Sequence, residues 1–177
     1  CQPIRPSDRI TVARAGRITS LDPAQASTFG AQQVISALGD TLYTRSMSGE
    51  LMPSLASGPP EISDDGLTVT IPLRDDVLFH DGTPFNAEAM AFSLRRFLAI
   101  GTLSYVVGDR IKAVETPSAF ELRLRLNRPS SSLENLLTST NLTPVSPTAY
   151  HDHQERFLND NFVGCLLYTS DAADEER

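Results

Sequence analysis

The 177-residue chain has no block of lysine and arginine, and its formal net charge is -7. The electrostatic footprint of a nucleic-acid binder is therefore missing, because phosphate backbones are gripped by clustered cations. No apolar run approaches the ~18–20 residues that a membrane-spanning helix needs. The only cysteines are Cys1 and Cys165, too few for a disulfide framework and not spaced as a CxxC pair. There is no glycine-rich phosphate loop, no GxSxG and no HExxH. These absences leave no catalytic constellation, no metal site of recognisable spacing and no cofactor motif.

What is present is the composition of an ordinary globular protein, 40% hydrophobic and 21% charged, at a length that suits one domain or one lobe of something larger. Ile10 and Val12 alternate with polar neighbours, so Arg9–Arg14 is expected as a strand. Pro23 ends it and biases Asp22 away from helix. Ser27 or Thr28 can cap a helix continuing to about Leu42, with Ala31, Val34, Ile35, Leu38 and Leu42 on one face. Tyr43–Pro53 reads as a hairpin turning at Ser48-Gly49, and Ser57–Ser63 reads as a loop.

Leu67, Val69, Ile71 and Leu73 alternate with polar positions in a half-buried antiparallel strand that Pro72 places at an edge or at its own end. Val77–Phe79 is expected as a short strand before an Asp81-Gly82 turn. Asn86 is a good N-cap for a helix over Ala87–Ala99. Met90, Leu94, Phe97 and Leu98 make its buried stripe; Phe92 lies off the stripe and should meet a second surface. A second alternating strand covers Phe120–Asn127, paired with Ile111–Glu115 through a turn at Thr116-Pro117-Ser118. Short helices are expected over Ser132–Leu137 and from Thr148 towards Phe157. Antiparallel strands with helices on one face read as α+β locally, within a larger α/β protein.

Three groupings invite a chemical reading. His151-Asp152-His153 could ligate a transition metal, but side chains two apart on a helix point in different directions, and a solvated helix face explains the triplet. His80-Asp81 has no accompanying nucleophile, and its turn role is the better account. Arg123 and Arg125 form a strand stripe that Glu121 and solvent balance.

The stretch Leu73–Arg96 carries the strongest signal. Leu73-Arg74-Asp75, then Phe79-His80-Asp81-Gly82-Thr83-Pro84 and Asn86-Ala87-Glu88, resembles a run of motifs in the family 5 extracellular solute-binding proteins. Leu21-Asp22-Pro23, Leu42-Tyr43, Gly49–Ala56, Ser63–Thr68 and Val145-Ser146-Pro147 resemble further motifs of that family in the same order, over about residues 10–164. Two departures stand out: Asp76 replaces a glycine, and Ala89 replaces an acidic residue whose contact with the helix dipole is worth ~0.3–1 kcal/mol.

The resemblance implies a partial type II periplasmic-binding-protein fold. Residues 1–8 are then a linker, 9–42 the start of lobe I, 43–150 an accessory subdomain and 151–164 a return towards lobe I. It implies a receptor of an ABC importer, not an enzyme and without cofactor. Such a receptor captures a peptide or another small solute (dipeptide, nickel chelate, opine or sugar) by lobe closure and delivers it to permease and ATPase subunits. The implied location is the periplasm or the outer face of the bacterial cytoplasmic membrane. One wall of the ligand cleft is expected at Ser27, Thr28, Phe29 and Gly30, after the Leu-Asp-Pro motif, and at Tyr105, whose ring could cover an extended peptide. The signature segment itself is expected to be structural. The same fold used as a sensor or chaperone-like partner is the alternative.

Both ends carry expectations of their own. Cys1 followed by QPIRPSD resembles a lipoprotein after signal cleavage, with Cys1 carrying the lipid. From Cys165 the residues CLLYTSDAADE back-translate to the end of a transposase-type sequencing adapter, so 165–177 is expected to be a non-native tail that packs poorly. That tail carries -3 of the net charge.

Overall fold

The computed structural model describes residues 18, 20–106, 109–130, 133–153 and 160–167. Cys1 and the strand expected over Arg9–Arg14 lie outside the described residues.

The alternation through Leu67–Leu73 becomes strand β4 (Thr68–Pro72), in which Val69 and Ile71 are fully buried and Pro72 is the last residue. It pairs with β6 (Glu121–Leu126), so that Val69 faces Leu124 and Ile71 faces Leu122 across the ladder. Strand β5 (Ile111–Ser118) lies beyond β6. The short β3 (Glu61–Ile62) pairs with β4 on the other side, giving an antiparallel order β3-β4-β6-β5. Helix α2 (Ala87–Ile100) supplies Met90, Leu94 and Phe97 to the same core as Val69, Ile71, Leu122 and Leu124. Burying each such side chain stabilises the fold by about 1.5–3 kcal/mol. The opposite sheet face carries Thr68, Thr70, Arg123 and the exposed Arg125.

Asn86 caps α2 as expected, its Oδ1 accepting from the amide of Ala89 at 3.0 Å. The helix extends one residue past the expected end, to Ile100. Phe92 does meet a second surface: its ring lies 5.3 Å from that of Tyr150 and 5.5 Å from that of His151. Those two residues belong to α4 (Pro147–His153), and the expected continuation to Phe157 lies outside the described residues. The hairpin forms from β1 (Tyr43–Arg45) and β2 (Leu51–Pro53), with Gly49 at φ 88°. A short helix α3 covers Leu133–Leu137.

Five expectations need correcting. Thr116–Ser118 is not a turn: β5 runs through Ser118, and the chain reverses at Ala119-Phe120. A register irregularity between Glu115 and Ser118 absorbs Pro117, which cannot donate to the ladder. The loop expected over Ser57–Ser63 contains β3, because Glu61 and Ile62 find Thr70 and Val69 across the sheet edge. Val77–Phe79 contributes one bridge, Leu78 to Pro84, in place of a strand. Helix α1 (Phe29–Leu38) stops four residues early at a Gly39 cap. The chain leaves the helix there so that Leu42 and Tyr43 can enter the main core.

Ala31 and Ile35 of α1 make only a small cluster with Ala26 and Phe162. Phe162 also closes the end of the fold. A Cβ on Gly39 would sit 2.7 Å from the Phe162 ring, and one on Gly164 would sit 2.4 Å from it. Poor packing beyond Gly164 does not hold for Cys165–Leu167. Cys165 is fully buried, its carbonyl accepts from the Asp40 amide at 2.8 Å, and Leu167 donates to the Asp40 carboxylate at 2.7 Å. Burial, with Asp40 and Asp81 nearby, pushes the Cys165 thiol well above its ordinary range.

Candidate functional site

The Leu-Asp-Pro motif builds a turn that is anchored from three directions. Asp22 accepts a hydrogen bond from the Ala24 amide at 3.0 Å, and Pro23, with φ already fixed, opens a single 3-10 turn through Gln25. The carboxylate is completely buried. A buried carboxylate is tolerable only when paired, and Arg96 of α2 meets it with both terminal nitrogens. Nη1 donates to Oδ1 at 2.6 Å and Nη2 donates to Oδ2. The Tyr150 ring covers the guanidinium at 4.8 Å. Burial works against the Arg96 charge, but hydrogen bonds and attraction from Asp22, helped by Tyr150, outweigh it and hold the group above its ordinary value.

The second anchor is Asn141, in the short 3-10 turn Thr140–Leu142. Its Nδ2 donates to the carbonyls of Pro23 at 2.7 Å and Ala26 at 2.9 Å. The third is the segment leaving α2: Thr102 donates its amide to Ala24 O at 3.1 Å and its hydroxyl to Gln25 O at 3.4 Å. Gly101 permits that exit, since a Cβ there would lie 2.3 Å from the Phe97 carbonyl.

The third anchor ties the chain just before Tyr105 to the turn just before Ser27, through Thr102 on Ala24 and Gln25. Ser27 and Phe29 follow the held turn with exposed side chains, Phe29 at 71%. Tyr105, 78% exposed, sits on the turn Ser104–Val106 just after Thr102. Thr28 spends its hydroxyl on capping α1, accepting from the Ala31 amide at 3.2 Å, and Gly30 is buried. Of the five residues expected at a ligand wall, Ser27, Phe29 and Tyr105 expose their side chains. A cavity of about 410 Å³ lies beneath the Tyr105 turn, walled by Phe97, Leu103, Val106 and Leu136, with Asn141 at its edge. A larger open groove of about 730 Å³ runs along α2 and α4 past Phe92, Arg96 and Tyr150.

The signature turn performs a different task. Asp81 accepts from the amide and hydroxyl of Thr83, at 3.0 and 2.6 Å, and from the Ser146 hydroxyl. Ser146 in turn accepts from the Ala149 amide at 3.2 Å and so starts α4. Burial opposes the Asp81 charge, but the hydrogen bonds from Ser146 and Thr83 prevail and hold its carboxyl below the usual range. His80 packs edge-on to Phe162, with ring centres 6.0 Å apart. Among the described residues no cluster of three or more His, Cys, Asp or Glu could hold a metal ion, and no helix is long and apolar enough to cross a membrane.

Arg96 and Asn141 did not stand out in the sequence. A signal for Arg96 existed in helical phase: Ala89 and Ser93, seven and three residues before it, are small and leave room for a long side chain to lie down. Asn141 offers no comparable signal, because its partners lie 118 and 115 residues away.

Comparison with known proteins gives a consistent result. The profile of "Bacterial extracellular solute-binding proteins, family 5 Middle" matches residues 50–168. The glutathione-binding protein GsiB of Shigella flexneri is 31% identical over 142 residues, which is 79% of this chain and 28% of that protein. The chain therefore spans little more than a quarter of the length of that curated relative. Among solved structures, Listeria monocytogenes OppA bound to peptide superposes with a TM-score of 0.79 at 23% identity, covering 85% of this chain and 33% of that one. NikZ of Campylobacter jejuni, in complex with Ni(L-His), superposes with a TM-score of 0.71 at 27% identity, over 84% and 30% of the two chains. The mixed helices and sheets described above are part of a type II periplasmic-binding-protein fold.

Proposed function

The chain belongs to the family 5 bacterial extracellular solute-binding proteins, and from that premise we propose that it forms one wall of a receptor's ligand cleft. In this reading residues 9–42 begin the first lobe and residues 43–150 form its accessory subdomain. A second lobe closes over a small peptide-like solute, and the closed receptor passes its cargo to an ABC permease driven by ATPase subunits, outside the cytoplasmic membrane. The protein performs no covalent step. Recognition comes from the difference in affinity between open and closed states.

The observation that supports the reading is the anchored turn Asp22–Ala26, which leads directly into Ser27 and Phe29 and is bonded through Ala24 and Gln25 to Thr102, two residues before the turn that bears Tyr105. Exposed aromatic rings at the edge of a rigid framework suit an extended, partly apolar ligand. The names of two relatives support the solute class. One binds glutathione and the other was solved with a nickel–histidine chelate; both ligands are small and carry amino-acid carboxylates.

Titration of the 15N-labelled chain with glutathione and with trialanine tests the reading. Amide shifts should change at Ser27–Gly30 and Thr102–Tyr105, and only at millimolar solute, because a single wall supplies part of the contacts. Shifts confined to the β1–β2 hairpin, or micromolar saturation by this chain alone, would count against it.

A further inference from the structure

The turn that presents Ser27 and Phe29 belongs to the start of the chain, yet what holds it comes from α2 and from the 3-10 turn Thr140–Leu142. Resting on the solute-binding reading above, we propose that Asn141 is a positioning residue for ligand capture. It sets where the loop Ser27–Gly30 stands without touching the solute.

Three observations converge on Asn141. It is 5% exposed, so its amide is committed to the interior. Both of its amide hydrogens are used on one short turn, at Pro23 O and Ala26 O, and these carbonyls bracket the turn from its first residue to its exit. Ala26 is the residue immediately before Ser27, and its carbonyl also accepts from Gln32 Nε2 of α1 at 3.4 Å. Asn141 therefore fixes the point at which the chain leaves the turn and starts the loop. The Asp22–Arg96 pair clamps the front of the turn, and Asn141 clamps its end. A hydroxyl could satisfy one of the two carbonyls; only a primary amide, or another group with two donors, satisfies both.

The geometry makes Asn141→Asp a sensitive probe. The replacement has nearly the same shape, but its carboxylate would face two carbonyl oxygens with nothing to donate. Once protonated, the acid can donate to one of them. Burial and the two carbonyls both raise the pKa of such a group. The defect should therefore be largest at neutral pH and shrink as the solution is acidified.

The test uses the 15N-labelled chain as wild type, Asn141→Asp and Asn141→Ala, at pH 7 and pH 5. Amide exchange reports loop order, and the core amides of Val69, Leu122 and Leu124 report the fold. In Asn141→Asp at pH 7, exchange at Ala26–Gly30 should rise about tenfold while the core stays protected. Glutathione-induced shifts at Ser27–Gly30 should fall at least about threefold, following the fraction of competent loop. At pH 5 both effects should move back towards wild type. Asn141→Ala should show the loosening and the weakened response without the recovery, and it serves if Asn141→Asp does not fold.

Unchanged loop exchange in the folded variants overturns the proposal. A loosened loop with a wild-type response to glutathione overturns it too, leaving Asn141 a purely structural residue while the solute-binding reading survives. A wild-type chain that shows no response to glutathione or trialanine removes that reading and the positioning role with it.

Discussion

The side chains of Val69 and Leu124, opposed across β4 and β6, are buried and wholly apolar, whereas Asp22 is as deeply buried as either and depends on Arg96 meeting it. The two regions are held by opposite means. The sheet under α2 is a broad apolar core, in which the loss of one side chain is shared among many neighbours and volume-conserving exchanges are tolerated. The turn Asp22–Ala26 is held by a few directed bonds, each with one correct partner. Such bonds add little net stability, because taking two charges out of water offsets most of their attraction, but breaking one is expensive. The core stabilises the fold, while the polar anchors fix a position.

Removing the Asp22 carboxylate should give the largest effect, since it strands the Arg96 charge. Asp22→Ala is expected to cost about 3–5 kcal/mol in urea denaturation. An Asp22→Leu, Arg96→Met double variant should recover most of that loss, and a double variant as unstable as the single would break the contrast. Next comes Leu122→Ala in the sheet, at about 2–4 kcal/mol, with no partner whose simultaneous removal rescues it. If Leu122→Met also proved severely destabilising, the view of the core as forgiving would fail.

The smallest effect is a pH dependence in the signature turn. The folded pKa of Asp81 lies below the ordinary 3.8, so its contribution is present above that value and is lost as pH falls through the folded pKa. Because this carboxylate is largely exposed, the contribution is about a few tenths of a kcal/mol. Acid unfolding of Ser146→Ala should show less of this dependence than the parent.

The same contrast explains what was legible in the sequence. The alternation of Leu122, Leu124 and Leu126 and the cap at Asn86 are local patterns. They predicted β6 and α2 because burial acts on side chains two or four residues apart. The end of α1 was misplaced because Leu42 has the right phase for a helix, yet the main core takes it together with Tyr43. The hairpin turn was misplaced because Pro117 reads as a turn residue, whereas the ladder tolerates it at an irregularity near the strand end. The candidate loop was located through Leu21-Asp22-Pro23, but the residues that hold it could not be. Arg96 is 74 residues from Asp22, and the small Ala89 and Ser93 in its helical phase leave room for its side chain without naming the partner it meets.

Asp40 and Leu167, which bond to each other beside Phe162 and Gly164, are separated by 127 residues. During synthesis at about 5–20 residues per second, α1 leaves the ribosome roughly 6–25 seconds before the segment that covers it. For that interval Ile35 has no Phe162 to pack against. The sheet and α2, complete by Leu126, can assemble in the meantime. The contacts of the sheet with α2 are thus all available before Phe162 reaches Ile35.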